Sequence, residues 1–221
     1  MKKGIFITGT DTGIGKTYVA AGIAEALRQS MLDVGVMKPI ETGCLKRAEK
    51  LIPGDALRLI RAADVHDDLN LVNPYRFSKP LAPSVAAGFE HKKIVIKRIM
   101  KAYWTLSRRH DFMIVEGAGG IMVPLTQKAT YLDLAQVMQL PVLIVARPGL
   151  GTINHTLLTI SALRARKIPI TGVAINYAQD WKRELAEKTS PTSIEKISGV
   201  RILDTISHNS VKFNVLAGCL K

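Results

Sequence analysis

The segment from residue 9 to residue 17, Gly-Thr-Asp-Thr-Gly-Ile-Gly-Lys-Thr, has the residue types of a phosphate-binding loop. Its glycines would let consecutive backbone N–H groups curl around an anion, and a helix beginning at the loop would add partial positive charge. Lys16 is the expected contact for β- and γ-phosphates, and the Thr17 hydroxyl is an expected Mg²⁺ ligand. Five residues, not the standard four, separate Gly9 from Gly15. An ordinary strand-to-helix turn is the alternative interpretation.

Two further strand ends carry residues that suit phosphate chemistry. The predicted strand 33–38 ends at Lys38 and leads to Thr42, and functional loops in open α/β sheets lie at such carboxyl ends. A second lysine close to Lys16 would need an anion, although a surface lysine is an equal alternative on position alone. The predicted strand 112–120 carries Glu116 before a glycine-rich end, where proteins with this loop place a carboxylate near Mg²⁺. Asp55, after a Pro-Gly pair, taken alone is more typical of a helix N-cap.

The remaining candidates lie in the second half of the chain. The helix predicted from Ile153 to about Arg166 begins after Gly151, and its free N–H groups form an anion site in principle. Asn176 ends the predicted strand 168–175, where an amide could read an adenine edge or act as a plain turn residue. His155 is as well explained by a helix surface as by ligand binding.

The elements that must position these residues alternate between strand and helix along the whole chain. This order predicts an α/β fold in three layers, with a mostly parallel central sheet flanked by helices. Helices are predicted at 18–27, from Asp55, at 84–88 and at 131–138, and a strand at 141–146. Near the end of the chain we predict a charged helix at 181–188, a short helix at 193–197 and a last strand at 200–203, with little information beyond Asp204.

Composition limits the classes of function. A chain of 221 residues is suited to one domain over 1–221, with no signal peptide and no apolar run long enough for a membrane span. Cys44 and Cys219 are too few for a disulfide framework or a zinc site, which favours a reduced cytoplasmic protein. The net charge of +13 invites a nucleic-acid interpretation. Its densest segment, 91–110, has seven Lys or Arg and no acid, and helical spacing of apolar residues predicts an amphipathic helix with a solvated basic face.

Taken together and in this order, the motifs resemble those of the dethiobiotin synthetases. They are Gly-Thr-Asp-Thr-x-x-Gly-Lys-Thr at 9–17, Met-Lys-Pro at 37–39, Asp-Ala at 55–56, Val-Glu-Gly-Ala-Gly-Gly at 115–120, Gly-Thr-Ile-Asn-His at 151–155, and Asn176. The resemblance covers roughly the first 200 residues, and the longer phosphate loop is itself typical of the family. It implies a P-loop NTPase fold and an ATP- and Mg²⁺-dependent ligase that closes a cyclic urea on 7,8-diaminopelargonic acid with CO₂, through a carbamate and its mixed anhydride with phosphate.

The resemblance also implies roles for individual residues. Lys16 and Lys38 would be catalytic, the first on the β- and γ-phosphates and the second on the carbamate and the transferred phosphoryl group. Thr17, Asp55 and Glu116 would hold Mg²⁺. The implied nucleotide-binding residues are Gly13, Ile14, Gly15, Lys16, Thr17, Tyr18, Asp55, Glu116, Gly117, Ala118, Gly119, Asn176 and Tyr177. The implied substrate-binding residues are Thr12, Thr42, Gly151, Thr152, Ile153 and Asn154, the last four acting across a homodimer interface.

One segment departs from the family pattern, and one other class remains open. Residues 201–207, Arg-Ile-Leu-Asp-Thr-Ile-Ser, replace a family sequence close to Pro-Val-Leu-Gly-x-Ile-Pro that normally backs the purine. The alternative class is a partitioning ATPase of the ParA/MinD kind that binds DNA or membrane, which the positive charge favours. That class carries an extra lysine early in the loop, where this chain has Asp11. We therefore expect neither nucleic acid nor membrane as a partner.

Overall fold

A computed structural model describes residues 3–179 and 184–220, and its centre is a six-stranded sheet. The strands lie in the order β10-β9-β8-β1-β7-β2, and every neighbouring pair is parallel. The elements in chain order are β1 Gly4–Gly9, α1 Lys16–Gln29, β2 Val34–Met37, β3 Ile40–Glu41, β4 Leu45–Arg47, β5 Lys50–Ile52, α2 Gly54–Ala63, α3 Leu69–Val72, β6 Tyr75–Arg76, α4 Pro83–Phe89, α5 Ile96–Leu106, β7 Phe112–Gly120, α6 Tyr131–Met138, β8 Val142–Ala146, α7 Thr152–Ala165, β9 Ile170–Asn176, α8 Leu185–Ser198, β10 Ile202–Ile206 and α9 Asn214–Gly218.

Both faces of this sheet are covered, because side chains alternate along each strand. In β1, Ile5 and Ile7 belong to the apolar cluster shared with α1, α2 and α9. Phe6 points to the other face and belongs to the cluster shared with α5, α6 and α7. The predicted three-layer α/β fold with a parallel central sheet is therefore confirmed.

β1 lies between β8 and β7 in the middle of the sheet, which decides where the functional loops meet. The segments that follow β1, β2 and β7 emerge at one edge because all three strands are parallel. Small two-stranded sheets extend this edge, one pairing β3 with β6 and the other pairing β4 with β5. The sequence had predicted an irregular loop where β6 lies.

The C-terminal part differs from the sequence-based prediction. The two helices predicted at 181–188 and 193–197 are one helix from Leu185 onward, with Pro191 inside it, and the predicted start at Trp181 falls outside the described residues. Pro191 cannot donate the helical hydrogen bond of its position. Packing of the helix against the core, where Ile194 is fully buried, offsets that loss. The last strand runs from Ile202 to Ile206, beyond the predicted end at residue 203.

The basic segment forms the predicted amphipathic helix, α5, whose bounds are narrower than the segment itself. Ile99, Tyr103 and Leu106 are fully buried, so the apolar stripe faces the core. No helix within 3–179 or 184–220 is long and apolar enough to span a membrane.

Candidate active site

The phosphate loop connects β1 to α1 with the backbone geometry that its glycines predict. Gly13 and Gly15 have φ values of 73° and 85°, in the left-handed region that side chains disfavour. Gly15 is the N-cap of α1 and has no side chain that could fill the helix start. A Cβ atom on Gly15 would also collide with the amide nitrogen of Asn176. The loop therefore presents a helix N-terminus that no capping side chain occupies.

Lys16 is held in this loop with little compensation for its charge. Its Nζ donates a hydrogen bond of 2.8 Å to the carbonyl oxygen of Asp11. Burial, followed by the nearby positive charge of Lys38, lowers the pKa of Lys16 to about 8. A phosphate chain bound here would supply the negative charge that the buried ammonium lacks.

Lys38, at the end of β2, lies between two carboxylates. Its Nζ is 2.5 Å from Glu116 Oε1 and 2.9 Å from Asp55 Oδ2. Burial alone would lower the pKa of Lys38, but the charges of Glu116 and Asp55 outweigh it and raise that pKa above its ordinary value. The pKa of Asp55 is lowered. Burial would raise the pKa of that carboxyl group, but the charge of Lys38 outweighs this effect. The two carboxylates thus favour the charged form of Lys38 beside the phosphate loop, and its burial rules out the alternative of a surface lysine.

The three predicted metal ligands converge at the same point. The Thr17 hydroxyl donates to Glu116 Oε1 at 2.8 Å, and it is close enough to Asp55 to help lower the pKa of that carboxyl group. Glu116 is completely buried, and in the described part of the chain its Oε2 has no hydrogen-bond partner. An orphaned buried carboxylate oxygen next to a hydroxyl and a second carboxylate fits a hard cation.

This donor set suits Mg²⁺ in particular, because that ion commonly takes one or two carboxylates and completes its shell with water and phosphate oxygens. Within the described ranges no group of three or more His, Cys, Asp or Glu residues could form an all-protein metal cage.

Glu41, in β3, contributes to the site in a way that the sequence did not reveal. Its two carboxylate oxygens accept hydrogen bonds of 3.0 Å from the backbone N–H groups of Asp55 and Ala56. Glu41 therefore caps α2 from another element, and burial raises the pKa of its carboxyl group. The N-cap interpretation of Asp55 was wrong: the N-cap is Pro53, and Asp55 lies in the first turn with its side chain on Lys38.

A cleft of about 560 Å³ opens over these groups. It brings together most of the residues proposed from the sequence. Those that line it are Thr12, Gly13, Gly15, Lys16, Thr17, Tyr18, Lys38, Thr42, Asp55, Glu116, Ala118 and Gly119. Residues 80–83, at the end of the β6–α4 segment and the start of α4, also line the cleft, and the sequence did not connect them with the site.

Other proposed nucleotide-binding residues support the loop from behind and do not line the cleft. Ile14 is buried in the apolar core, and Gly117 continues β7 below the loop. Asn176, fully buried at the end of β9, donates from Nδ2 to the Ile14 carbonyl at 2.8 Å, and its Oδ1 has no partner in the described part of the chain. Tyr177 is buried next to it, with its backbone N–H bonded to the carbonyl of Ile206.

The start of α7, residues 151–154, is not brought to the cleft of the same chain. Gly151 adopts a left-handed φ of 89°, and the buried Thr152 hydroxyl donates to the Arg147 carbonyl at 2.6 Å. Large apolar side chains are exposed close to it in sequence, including Leu150 at 88% and Leu158 at 61%.

Comparison with known proteins shows which family the chain resembles. The family model described as AAA domain matches residues 3–211. The ATP-dependent dethiobiotin synthetase BioD of Thermodesulfovibrio yellowstonii is 43% identical over 215 residues, which are 94% of this chain and 90% of that protein. The protein of the same name from Methanocaldococcus jannaschii is 41% identical over 206 residues, with 91% and 92% covered.

Among solved structures, a ParA family ATPase from Chlorobium tepidum superimposes with a TM-score of 0.58, covering 100% of this chain and 91% of that chain. At 17% identity this likeness concerns the fold alone. The identities above 40% with synthetases extend over nearly the whole length of both proteins. The chain therefore belongs to the ATP-dependent dethiobiotin synthetase family, a family of ligases.

Proposed function

We propose that this protein is a cytoplasmic, homodimeric dethiobiotin synthetase, which carboxylates 7,8-diaminopelargonic acid with CO₂ and closes the ring at the expense of ATP in the presence of Mg²⁺. The observation that carries the proposal is the buried Lys38 ammonium beside Lys16 and the phosphate loop. Two cations at one helix N-terminus suit a reaction in which a carboxylate-like nucleophile meets a triphosphate.

In the first step one substrate amine attacks CO₂, and a proton leaves the nitrogen to give a carbamate. The carbamate oxygen carries the negative charge that Lys38 would neutralise. Thr12 and Thr42, which both line the cleft, would contact the substrate on this side of the loop. The carbamate is already a nucleophile, so the step that follows requires no side-chain base.

In the second step the carbamate oxygen attacks the γ-phosphorus, and the bond between that phosphorus and the β–γ bridging oxygen breaks to release ADP. Lys16 would hold the β- and γ-phosphates, and Lys38 would stabilise charge on the transferred group. Thr17, Asp55 and Glu116 would hold Mg²⁺, which when bound neutralises phosphate charge.

In the last step the second amine attacks the carbonyl carbon of the mixed anhydride. A C–N bond forms, the C–O bond to phosphate breaks, and inorganic phosphate and a proton leave with the cyclic urea. Gly13, Gly15, Tyr18, Ala118 and Gly119, which line the cleft, would surround the nucleotide. Gly117, Asn176 and Tyr177 do not line it, and the family resemblance alone supports the proposed contacts of Gly117 with the nucleotide and of Asn176 and Tyr177 with its adenine.

A second copy of the chain would complete the site. Residues 151–154 would bind the substrate carboxylate in the cleft of the other protomer, and two observations support this. These residues do not line the cleft of their own chain, and the neighbouring Leu150 and Leu158 expose apolar surface that a partner would cover. An active, strictly monomeric protein in sedimentation analysis would contradict this part.

The experiment that tests the function is phosphate release from ATP with Mg²⁺ and bicarbonate, with and without 7,8-diaminopelargonic acid, with the cyclic urea identified by mass spectrometry. We expect release and product only with the diamine. Release that ignores the diamine but responds to DNA or to anionic vesicles would instead assign the chain to the partitioning ATPases.

A further inference from the structure

Arg58, on α2, is a cation of the cleft to which no role has been given so far. It lines the same cleft as Lys16 and Lys38. It follows Asp55 by three residues, which puts both side chains on one face of the helix, with Arg58 about 4.5 Å further along the axis. The same face of α2 thus carries Asp55, which pairs with Lys38, and the guanidinium group of Arg58 about one helical turn further along.

Unlike Lys38, Arg58 has no counter-charge among the residues that the structure describes. Across residues 3–179 and 184–220, no carboxylate lies within ion-pairing distance of its guanidinium group. Its interaction within the protein is with an aromatic ring, since its Cζ lies 5.3 Å from the centroid of the Tyr18 ring. Stacking fixes the plane of a guanidinium group while its N–H groups stay available.

Tyr18 is itself anchored, so the stacked arginine has a defined position. The Tyr18 hydroxyl donates a hydrogen bond to the carbonyl of Ser210, and the Phe213 ring packs edge-on with centroids 5.4 Å apart. Tyr18 directly follows Thr17 in the first turn of α1. The Arg58 side chain is therefore held next to the first turn of the helix that begins at the phosphate loop.

We propose that Arg58 binds the nucleotide through the oxygens of its α- or β-phosphate. This inference rests on the proposed function for the identity of the ligand. The γ-phosphate end of the cleft is defined by Lys38, Asp55 and Glu116, and Arg58 lies beyond Asp55 on the side of Tyr18. Guanidinium groups recognise phosphate oxygens with paired N–H donors, whereas the lysines of the site act as point charges.

The test is the affinity for ADP, which has no γ-phosphate, measured by titration calorimetry on the whole protein. We expect Arg58→Ala to weaken ADP binding about tenfold, the size typical of a charge-assisted hydrogen bond. The KM for ATP should rise by a similar factor, while kcat changes by less than about twofold because the transferred group is not contacted. The ADP affinity of Arg58→Lys should lie between those of the wild type and Arg58→Ala, because lysine keeps the charge and loses the paired donors.

Arg61→Ala is the matched control, because it removes the same charge from the same helix at an exposed residue that does not line the cleft. It should leave ADP binding unchanged. Circular dichroism melting of each variant separates a binding effect from loss of fold.

Three results would overturn the assignment: an unchanged ADP affinity in Arg58→Ala, a rise only in the KM for the diamine, or a fall only in kcat. The second would put Arg58 on the substrate carboxylate, and the third on the γ-phosphoryl group. If the wild-type protein shows no diamine-dependent turnover but binds ADP through Arg58, the proposed function fails and this inference stands. If turnover is diamine-dependent and Arg58→Ala binds ADP normally, only this inference fails.

Discussion

One charged cluster lies at the amino ends of strands β2 and β7, and another lies at their carboxyl ends. The two clusters differ in how completely their polar atoms are hydrogen-bonded. At the amino ends, His110 lies between Asp33, at 2.8 Å from its Nδ1, and Asp67, at 2.7 Å from its Nε2. Every ring nitrogen there has a carboxylate partner. At the carboxyl ends, Lys38 is paired with Glu116, and Glu116 keeps one buried oxygen without a partner in the described chain.

We interpret the His110 cluster as one that stabilises the fold, and we expect the Lys38 cluster to receive a ligand. In the His110 cluster both ring nitrogens are paired with carboxylates, so the imidazole has no bonding capacity left for a ligand. Within the described residues, the Lys38 cluster has an unpaired carboxylate oxygen and, in Lys16, an ammonium group whose one hydrogen bond goes to a backbone carbonyl. Buried groups with unused bonding capacity are costly, and they are expected where a ligand completes them. Four substitutions test this contrast.

Lys16→Ala should give the largest effect. Loss of the charge that holds the phosphates should reduce turnover about a thousandfold. The free energy of unfolding should change little, because the buried ammonium group is poorly compensated in the free protein. Steady-state kinetics and urea unfolding measure the two quantities. Turnover close to that of the wild type would contradict the assignment of the phosphate loop.

Lys38→Met should damage both function and fold. It leaves Glu116 buried without a counter-charge, which should lower the free energy of unfolding by about 3 kcal/mol. Adding Glu116→Gln should recover much of the stability in urea unfolding and none of the turnover. A double variant no more stable than Lys38→Met would show that the charge pair is not the cause.

Glu116→Gln alone tests whether the Lys38 cluster binds the metal. The neutral amide should raise the Mg²⁺ concentration required for half-maximal turnover about tenfold, a typical cost at metal sites. Glu25→Gln, at an exposed residue of α1, is the matched control and should leave the Mg²⁺ titration as it was. An unchanged titration in Glu116→Gln would remove this residue from the metal site.

His110→Gln should give the smallest effect, and this effect should be on stability and not on turnover. Burial lowers the pKa of His110, but the hydrogen bonds and charges of Asp33 and Asp67 outweigh it and raise that pKa above its ordinary value. The stabilisation is therefore full below the unfolded pKa of about 6.5 and is lost as the pH rises through the folded pKa.

We expect urea unfolding to show a cost of about 1 kcal/mol at pH 6 that shrinks toward pH 9, with turnover unchanged. The exposed His66, changed to Gln, controls for the loss of a histidine. A cost that grows with pH would contradict the linkage.

Much of the site could be predicted because its signals are local. The loop residues around Lys16 determine their own backbone geometry, and the strands that carry Lys38 and Glu116 are short apolar runs in a parallel sheet. Parallel strands bring their carboxyl ends to one edge, which is sufficient to place both side chains near the loop. The fold class followed from the same alternation of strands and helices.

What could not be predicted depends on contacts between distant elements. The capping of α2 by Glu41 and the hydrogen bond from Asn176 to the loop join segments whose separation in sequence carries no pattern. The prediction of two helices around Pro191 was wrong for a related reason. Local propensity predicts a break at proline, and the tertiary packing of α8 overrides it. The stacking of Arg58 on Tyr18 required the orientation of α2 against α1, which no periodicity gives.

The carboxylate of Glu41 also affects how a nucleotide is oriented. Helices α1 and α2 both begin close to the cleft, and each helix start attracts anions. At α2 that attraction is already answered by an acid of the protein, whereas α1 begins at a glycine without a capping side chain. We therefore expect a phosphate chain to be drawn to the start of α1 and not to the start of α2. The capping of α2 by Glu41 would in this way leave one helix start for the anion and orient a bound phosphate chain along α1.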